Sequence, residues 1–166
     1  MPDRKTMERA AEDKREGKAP TTQAGEFVRE EMHHIREGKH GARSTKQAIA
    51  IGLSKARRAG VKLPAPKKGT VSEETRKSAA RETAAGARGA KPASRSRSRA
   101  ITAALKREGH TAASKSALAR QAKSAAQKRT SGARSAAARK AAKTKGPALR
   151  SVAARKAART RARSTG

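Results

Sequence analysis

From Gly109 to the last residue the chain carries 16 Lys and Arg side chains and no Asp or Glu. Sixteen like charges with no internal counterion repel one another, and no compact core forms around them without a polyanion nearby. The apolar inventory points the same way. Leu, Ile, Val and Phe number 14 in 166 residues, whereas Ala alone supplies 39. That is well under the roughly 20% below which a highly charged chain reads as disordered. Phe27 is the one aromatic residue, there is no Cys, and the net charge is +30. These features exclude a large enzyme with a closed, dry pocket, a disulfide scaffold and a cysteine zinc site. No apolar run approaches the roughly 18 residues of a membrane span. The first residues are charged from Asp3 onward, so no signal peptide is expected and the reading is cytoplasmic, without membrane contact.

Charge and apolar residues divide the chain unevenly. Residues 1–63 hold 15 basic and 9 acidic side chains, and residues 64–166 hold 28 and 4. The reading is a small, charge-balanced head and a long basic tail. In the head, Met7, Ala10 and Ala11 give a helical stripe before Gly17, and Pro20 breaks the chain. Thr22 is placed as the cap of a helix ending at Gly38. Its apolar arc is Ala24, Phe27, Val28, Met32 and Ile35, with Glu31 alone intruding and Glu26, Glu30 and Glu37 on the other side. Ser44 followed by Gln47 is a capping-box pattern, opening a helix over 45–59 that stops at Gly60. Ala48, Gly52 and Ala56 on its inner arc, beside Ile49 and Leu53, let another helix approach closely. A two-helix hairpin cannot enclose Phe27, Val28, Met32, Ile35, Ile49, Ile51, Leu53, Val61 and Leu63. A homodimer or a protein partner is therefore expected on the face of Val28, Ile35, Ile49 and Leu53.

Beyond the stiff stretch 64–69, Thr70 with Glu73 marks a second capping box and a helix near 71–85, which Gly86, Gly89 and Pro92 interrupt. Residues 94–99 read SRSRSR, a basic linker. Arg107-Glu108-Gly109, followed by an Ala-rich helix over 112–128 capped by Thr111 or Ser114, parallels Arg36-Glu37-Gly38 before the Ser44-capped helix. Residues 135–144 recur as 151–160 with eight of ten positions identical, and Gly146-Pro147 lies between the copies. The expected fold is all-α, a short helical hairpin followed by a largely disordered Ala/Lys/Arg-rich tail with transient helices. Its segments are a charged N-terminus (1–19), the hairpin (20–63), a linker able to hold a short helix (64–98), a second helical pair (99–130) and the basic repeat tail (131–166).

The chemistry this composition supports is phosphate binding. Candidate contacts on the head and linker are Lys46, Arg57, Arg58, Lys67 and Lys68. Arg95, Arg97, Arg99, Lys106 and Arg107 follow. Along the tail they are Lys115, Arg120, Lys123, Lys128, Arg129, Arg139, Lys140, Lys143, Arg155, Lys156, Arg159, Arg161 and Arg163. Such a surface reads backbone charge and not base edges. The tail has no aromatic platform on which single-stranded bases could stack. His33, His34 and His40 are close in sequence, but neighbours on a helix point about 100° apart. They are read as a surface helix end with no metal, and His110 is isolated. No nucleophile, oriented base or phosphate-cradling Gly motif is assembled, so no catalytic residue and no cofactor is expected.

Two resemblances accompany this reading. The run Val28…Met32, Gly38-Lys39 and Ser44-Thr-Lys-Gln-Ala-Ile-Ala-Ile-Gly-Leu-Ser-Lys-Ala56 resembles a small bacterial domain of unknown function. That domain pairs a V-x-x-x-M helix and a Gly-Lys loop with an S-x-K-Q-A-I-A-I-A-L-S-x-A helix, and Gly52 stands where it has Ala. The resemblance carries no activity and no site residue. The tail is similar in character to bacterial histone-H1-like and other nucleoid-associated proteins. It implies nonenzymatic, sequence-nonspecific binding or compaction of double-stranded DNA at the nucleoid. The alternatives are an RNA- or ribosome-associated basic protein and a protein-interaction adaptor docking through the head.

Overall fold

A computed structural model describes residues 2–89 and 94–164, without the side chains of residues 144, 145 and 164. Seven α-helices run along it: α1 (Arg4–Arg15), α2 (Pro20–Arg36), α3 (Thr45–Arg58), α4 (Glu73–Ala87), α5 (Arg95–Lys106), α6 (Lys115–Gln127) and α7 (Ser131–Ser164), with a 3-10 turn at Thr111–Ala113 before α6. Among the described residues the sole β contact is an isolated bridge between Lys68 and Val71. The all-α expectation holds. The chain divides into two units, Met1–Gln121 and Ala122–Gly166.

The first unit is organised by the contact of α2 with α3. Ser44 caps α3 as its sequence implies, its Oγ accepting the Gln47 N–H. Gln47 answers by accepting from the N–H of Arg43, one residue before the cap. Gly60, in the left-handed region at φ 90°, closes the helix. The inner face of α3 is a stripe of small residues four apart. Ala48 packs with Met32 and Ile35, and Ala56 packs with Ala24 and Phe27. Between them Gly52 meets α2 backbone to backbone, where a methyl group would lie 2.7 Å from Val28 Cα.

Several local expectations change. Pro20 does not break the chain but opens α2 as its first residue, where its fixed φ suits the first turn and its missing N–H has no partner to lose. Ala19, not Thr22, is the cap. In α1 the buried stripe is Thr6, Ala10 and Asp13, while Met7 is 40% exposed. This helix packs along α2. Lys18 after it reaches both Asp13 and Glu16, and its hydrogen bond to Asp13, then that to Glu16, raise its pKa above the ordinary lysine value. Ser72, not Thr70, caps α4, by accepting from Thr75 N–H. Gly86 does not interrupt α4; it brings the helix against the Arg57 carbonyl, where a Cβ would collide. Pro92 lies outside the described residues. SRSRSR is helical, as the start of α5.

Other segments of the chain pack against the apolar face expected to seek a partner, of which Val28, Ile49 and Leu53 remain half-buried. Ile35 has no exposed surface, packed with Ala42, Ala112 and Ala113, and Val28, Ile49 and Leu118 border the same cluster. Leu53 borders the other cluster, with Ala10, Val61 and Leu63. Val61 and Leu63 thus serve Phe27, while Ile51 remains half-buried. The second Arg-Glu-Gly segment docks on the loop after the first. Leu105 and Gly109 carbonyls accept from Gly41 and Ala42 N–H at 2.9 and 3.0 Å. Arg36 Nε and Thr45 Oγ1 donate to the Ala113 and Ala112 carbonyls. Gly41 is required there, since a Cβ would strike the Glu108 backbone. Ser114, not Thr111, caps α6, accepting from Ala117 N–H.

In the second unit the expected disorder is not supported. Residues 131–164 are helical, interrupted at Gly146 (φ 68°, ψ 168°) with Pro147 following, between the two repeat copies. Ala is the best helix former and Lys and Arg stand close behind it, so backbone preference prevails here over charge repulsion.

The α2–α3 contact makes a direct prediction. Gly52→Ala destabilises the protein by about 1–3 kcal/mol through overpacking against Val28. Gly25→Ala, also helical but with nothing within 4 Å of its new methyl, stabilises it by about 0.5–1 kcal/mol. Urea melts of the two variants against wild type check both signs.

Candidate functional site

Two features of the molecule have chemical potential: a buried cluster of acids and histidines at the head, and an exposed cationic surface.

The cluster is built on α2. Glu30 and Glu31 are neighbours, so they point about 100° apart. Because α1 packs on one side of α2 and α3 on another, both are buried, at 4% and 0% exposure. The expectation that Glu30 sits on the open side of the helix fails for this reason. A buried carboxylate is costly unless charge and hydrogen bonds compensate it. Lys55 of α3 supplies charge, its Nζ 2.6 Å from Glu31 Oε2 and 3.8 Å from Glu30 Oε1. From the loop, His40 brings Nε2 to 3.3 Å from Glu31 Oε1. Asp3, at the start of α1, donates its N–H to Glu30 Oε2 at 3.2 Å, and its own Oδ2 lies 3.3 Å from His34 Nε2. His34 Nε2 is also 4.0 Å from Glu30 Oε1. Lys55 thus compensates Glu31 Oε2, while Glu31 Oε1 and Glu30 Oε1 are buried with no hydrogen bond.

The ring of His40 is oriented by its other nitrogen. Nδ1 lies 3.1 Å from the Gly41 carbonyl, which only accepts, so Nδ1 carries the hydrogen. In the neutral ring Nε2 then presents its lone pair to Glu31. Spacing along the sequence pairs His33 with His34; the fold instead turns His33 outward and brings His34 and His40 together, their rings 6.1 Å apart and edge-to-face. The expectation of a bare surface helix end is therefore corrected. One oxygen of Glu31 and one ring nitrogen each of His34 and His40 lie within 4.8 Å of one another, and Asp3, Glu30 and His34 form a second such set.

The cationic surface follows the sequence with one exception. Arg57 is 8% exposed under α4, and its Nε is buried without a partner. Its location at the α3–α4 contact, marked by the close approach of Gly86, removes it from the phosphate candidates. Every other candidate is exposed, from Lys46 and Arg58 on α3 through Lys67, Lys68 and the α5 and α6 residues to Arg163. On α7, Arg139 and Lys143 are four apart, as are Arg155, Arg159 and Arg163, which sets rows of charge about 6 Å apart along one side of a helix. None of the described side chains of α7 is buried. No helix among the described residues is long and apolar enough to cross a membrane.

Residues 17–68 match the model of a family of unknown function (DUF6496). The α2–loop–α3 hairpin, with the extended stretch after it, is therefore a small domain of unknown function. The match spans the buried acids, Lys55 and both clustered histidines, but not Asp3 or the cationic helices. No curated protein and no solved structure matches the chain.

The Glu31–Lys55 pair makes the second prediction. Lys55→Met, which strands two buried carboxylates, destabilises the protein by about 3 kcal/mol. Glu31→Gln in the Lys55→Met background recovers part of that loss. A double-mutant cycle in urea measures the recovered part as the coupling between the two residues.

Proposed function

We propose that the protein is a nonenzymatic, sequence-nonspecific binder of nucleic acid, acting on double-stranded DNA at the bacterial nucleoid and compacting it by neutralising backbone charge. The observation that carries this reading is the acid-free stretch from Gly109 onward, whose Lys and Arg side chains are exposed on α6 and α7 throughout the described residues. A cationic helix lying along a duplex exchanges condensed counterions for its own charges, and the released ions drive association. Without an aromatic side chain beyond Phe27, itself buried, nothing offers a stacking platform for single-stranded bases. This favours a duplex over single-stranded RNA.

On this reading the full chain binds random-sequence duplex DNA, and engagement of ten phosphates gives log K a slope of about −9 against log salt. Ending the chain after Gln121 flattens that slope by more than half. A shallow slope with strong preference for one sequence contradicts the reading. Ala141→Pro with Ala157→Pro lowers the helical circular dichroism signal of the full chain, because Pro costs about 3 kcal/mol in a helix interior. The salt slope stays within about one unit, because the charges remain.

A further inference from the structure

We propose that Glu31, His34 and His40 form a binding site for a divalent transition-metal cation, zinc(II) foremost, with Glu30 or Asp3 as the fourth ligand. The donor set is the first argument. Two imidazoles and a carboxylate from one helix and one loop suit zinc(II), which takes nitrogen and oxygen donors at about 2.0–2.2 Å. Ligands at that distance in a tetrahedron lie about 3.3 Å from one another. The His40 Nε2 to Glu31 Oε1 and His34 Nε2 to Asp3 Oδ2 distances are both 3.3 Å.

The unmet valence of the site is the second argument. Glu31 is fully buried; Lys55 meets its Oε2, but its Oε1 and Glu30 Oε1 make no hydrogen bond. When the ring is neutral, the lone pair of His40 Nε2 faces Glu31 Oε1, two acceptors opposed with nothing donated between them. A cation between them resolves that opposition. The Gly41 carbonyl meanwhile holds Nδ1–H, the outer contact that fixes a metal-binding histidine in its working tautomer.

Charge is the third argument. Asp3, Glu30 and Glu31 converge here, with Lys55 paired to the two glutamates and Lys39 near enough to feel Asp3 and Glu30, so the carboxylates outnumber the ammonium groups by one. A surface cleft reaches Asp3, Glu30 and His34, with Arg4, Lys5, Arg9, Arg29 and Lys39 also on its walls.

The test uses the full chain, stripped with a chelator and free of nucleic acid, titrated with zinc(II) in competition with a chromophoric chelator. One equivalent binds. His34→Ala and His40→Ala each weaken binding at least tenfold, and His33→Ala and His110→Ala leave it within about twofold. Nitrogen-15 spectra of the wild-type histidines make the result independent of how any variant folds. Zinc shifts two of the four rings at Nε2. Absence of stoichiometric binding, equal effects of all four substitutions, or ring signals that respond to pH and not to zinc would each overturn the proposal. The last outcome would mean that protonated histidines, and no metal, satisfy Glu31.

Discussion

The close approach of α3 to α2 is the contact on which the rest of the first unit depends. Ala48, Gly52 and Ala56 present almost no side chain, so the two helices meet backbone to backbone at Val28. With α1 packed on another side of α2, two consecutive acids, Glu30 and Glu31, are enclosed as well. Lys55 compensates their charge from the opposite helix. The large side chains that a hairpin leaves open at either end of this contact are then closed by other segments. Residues 61–63 and α1 cover Phe27, and the 3-10 turn covers Ile35. The head thus acquires a core by recruiting sequence from far outside the matched family segment.

Charge is sorted by the same construction. Nine of the 13 acids lie in the first 63 residues, where they pair locally: Glu26 with Arg9, Asp13 and Glu16 with Lys18, Glu30 and Glu31 with Lys55. The cations that follow have few internal partners to choose from, because few acids remain. A chain of this composition gathers its acids in the first unit and leaves a cationic helical segment that presents its charge outward. Such a division suits a polyanion, whose phosphates are uniform and need no shaped pocket.

What was legible in the sequence was local. The Ser44 cap, the Gly60 stop, the small-residue stripe of α3 and the break at Gly146-Pro147 all depend on residues within a few positions of one another, and they stand where spacing puts them. The family resemblance around residues 26–60 coincides with the matched segment. Long-range effects were not legible. Burial of Glu30 requires α1 and α3 together. The meeting of His34 with His40 requires a loop to fold back over the helix it leaves. The docking of Gly41 and Ala42 on Leu105 and Gly109 spans more than sixty residues, although the shared Arg-Glu-Gly signal already hinted at a second copy. Arg57 looked like its neighbour Arg58, and α4 alone tells them apart. In the tail, weight given to like-charge repulsion obscured a helix preference visible in every Ala.

The account holds that the cationic helices meet duplex DNA through its backbone, without regard to sequence. Crosslinking the full-length protein in cells and sequencing the recovered nucleic acid, in parallel DNase- and RNase-treated arms, tests this most directly. The account predicts DNA drawn from across the genome, lost on DNase treatment and kept on RNase treatment, with no shared motif. Recovery dominated by RNA, or by DNA sites sharing one sequence, would contradict it.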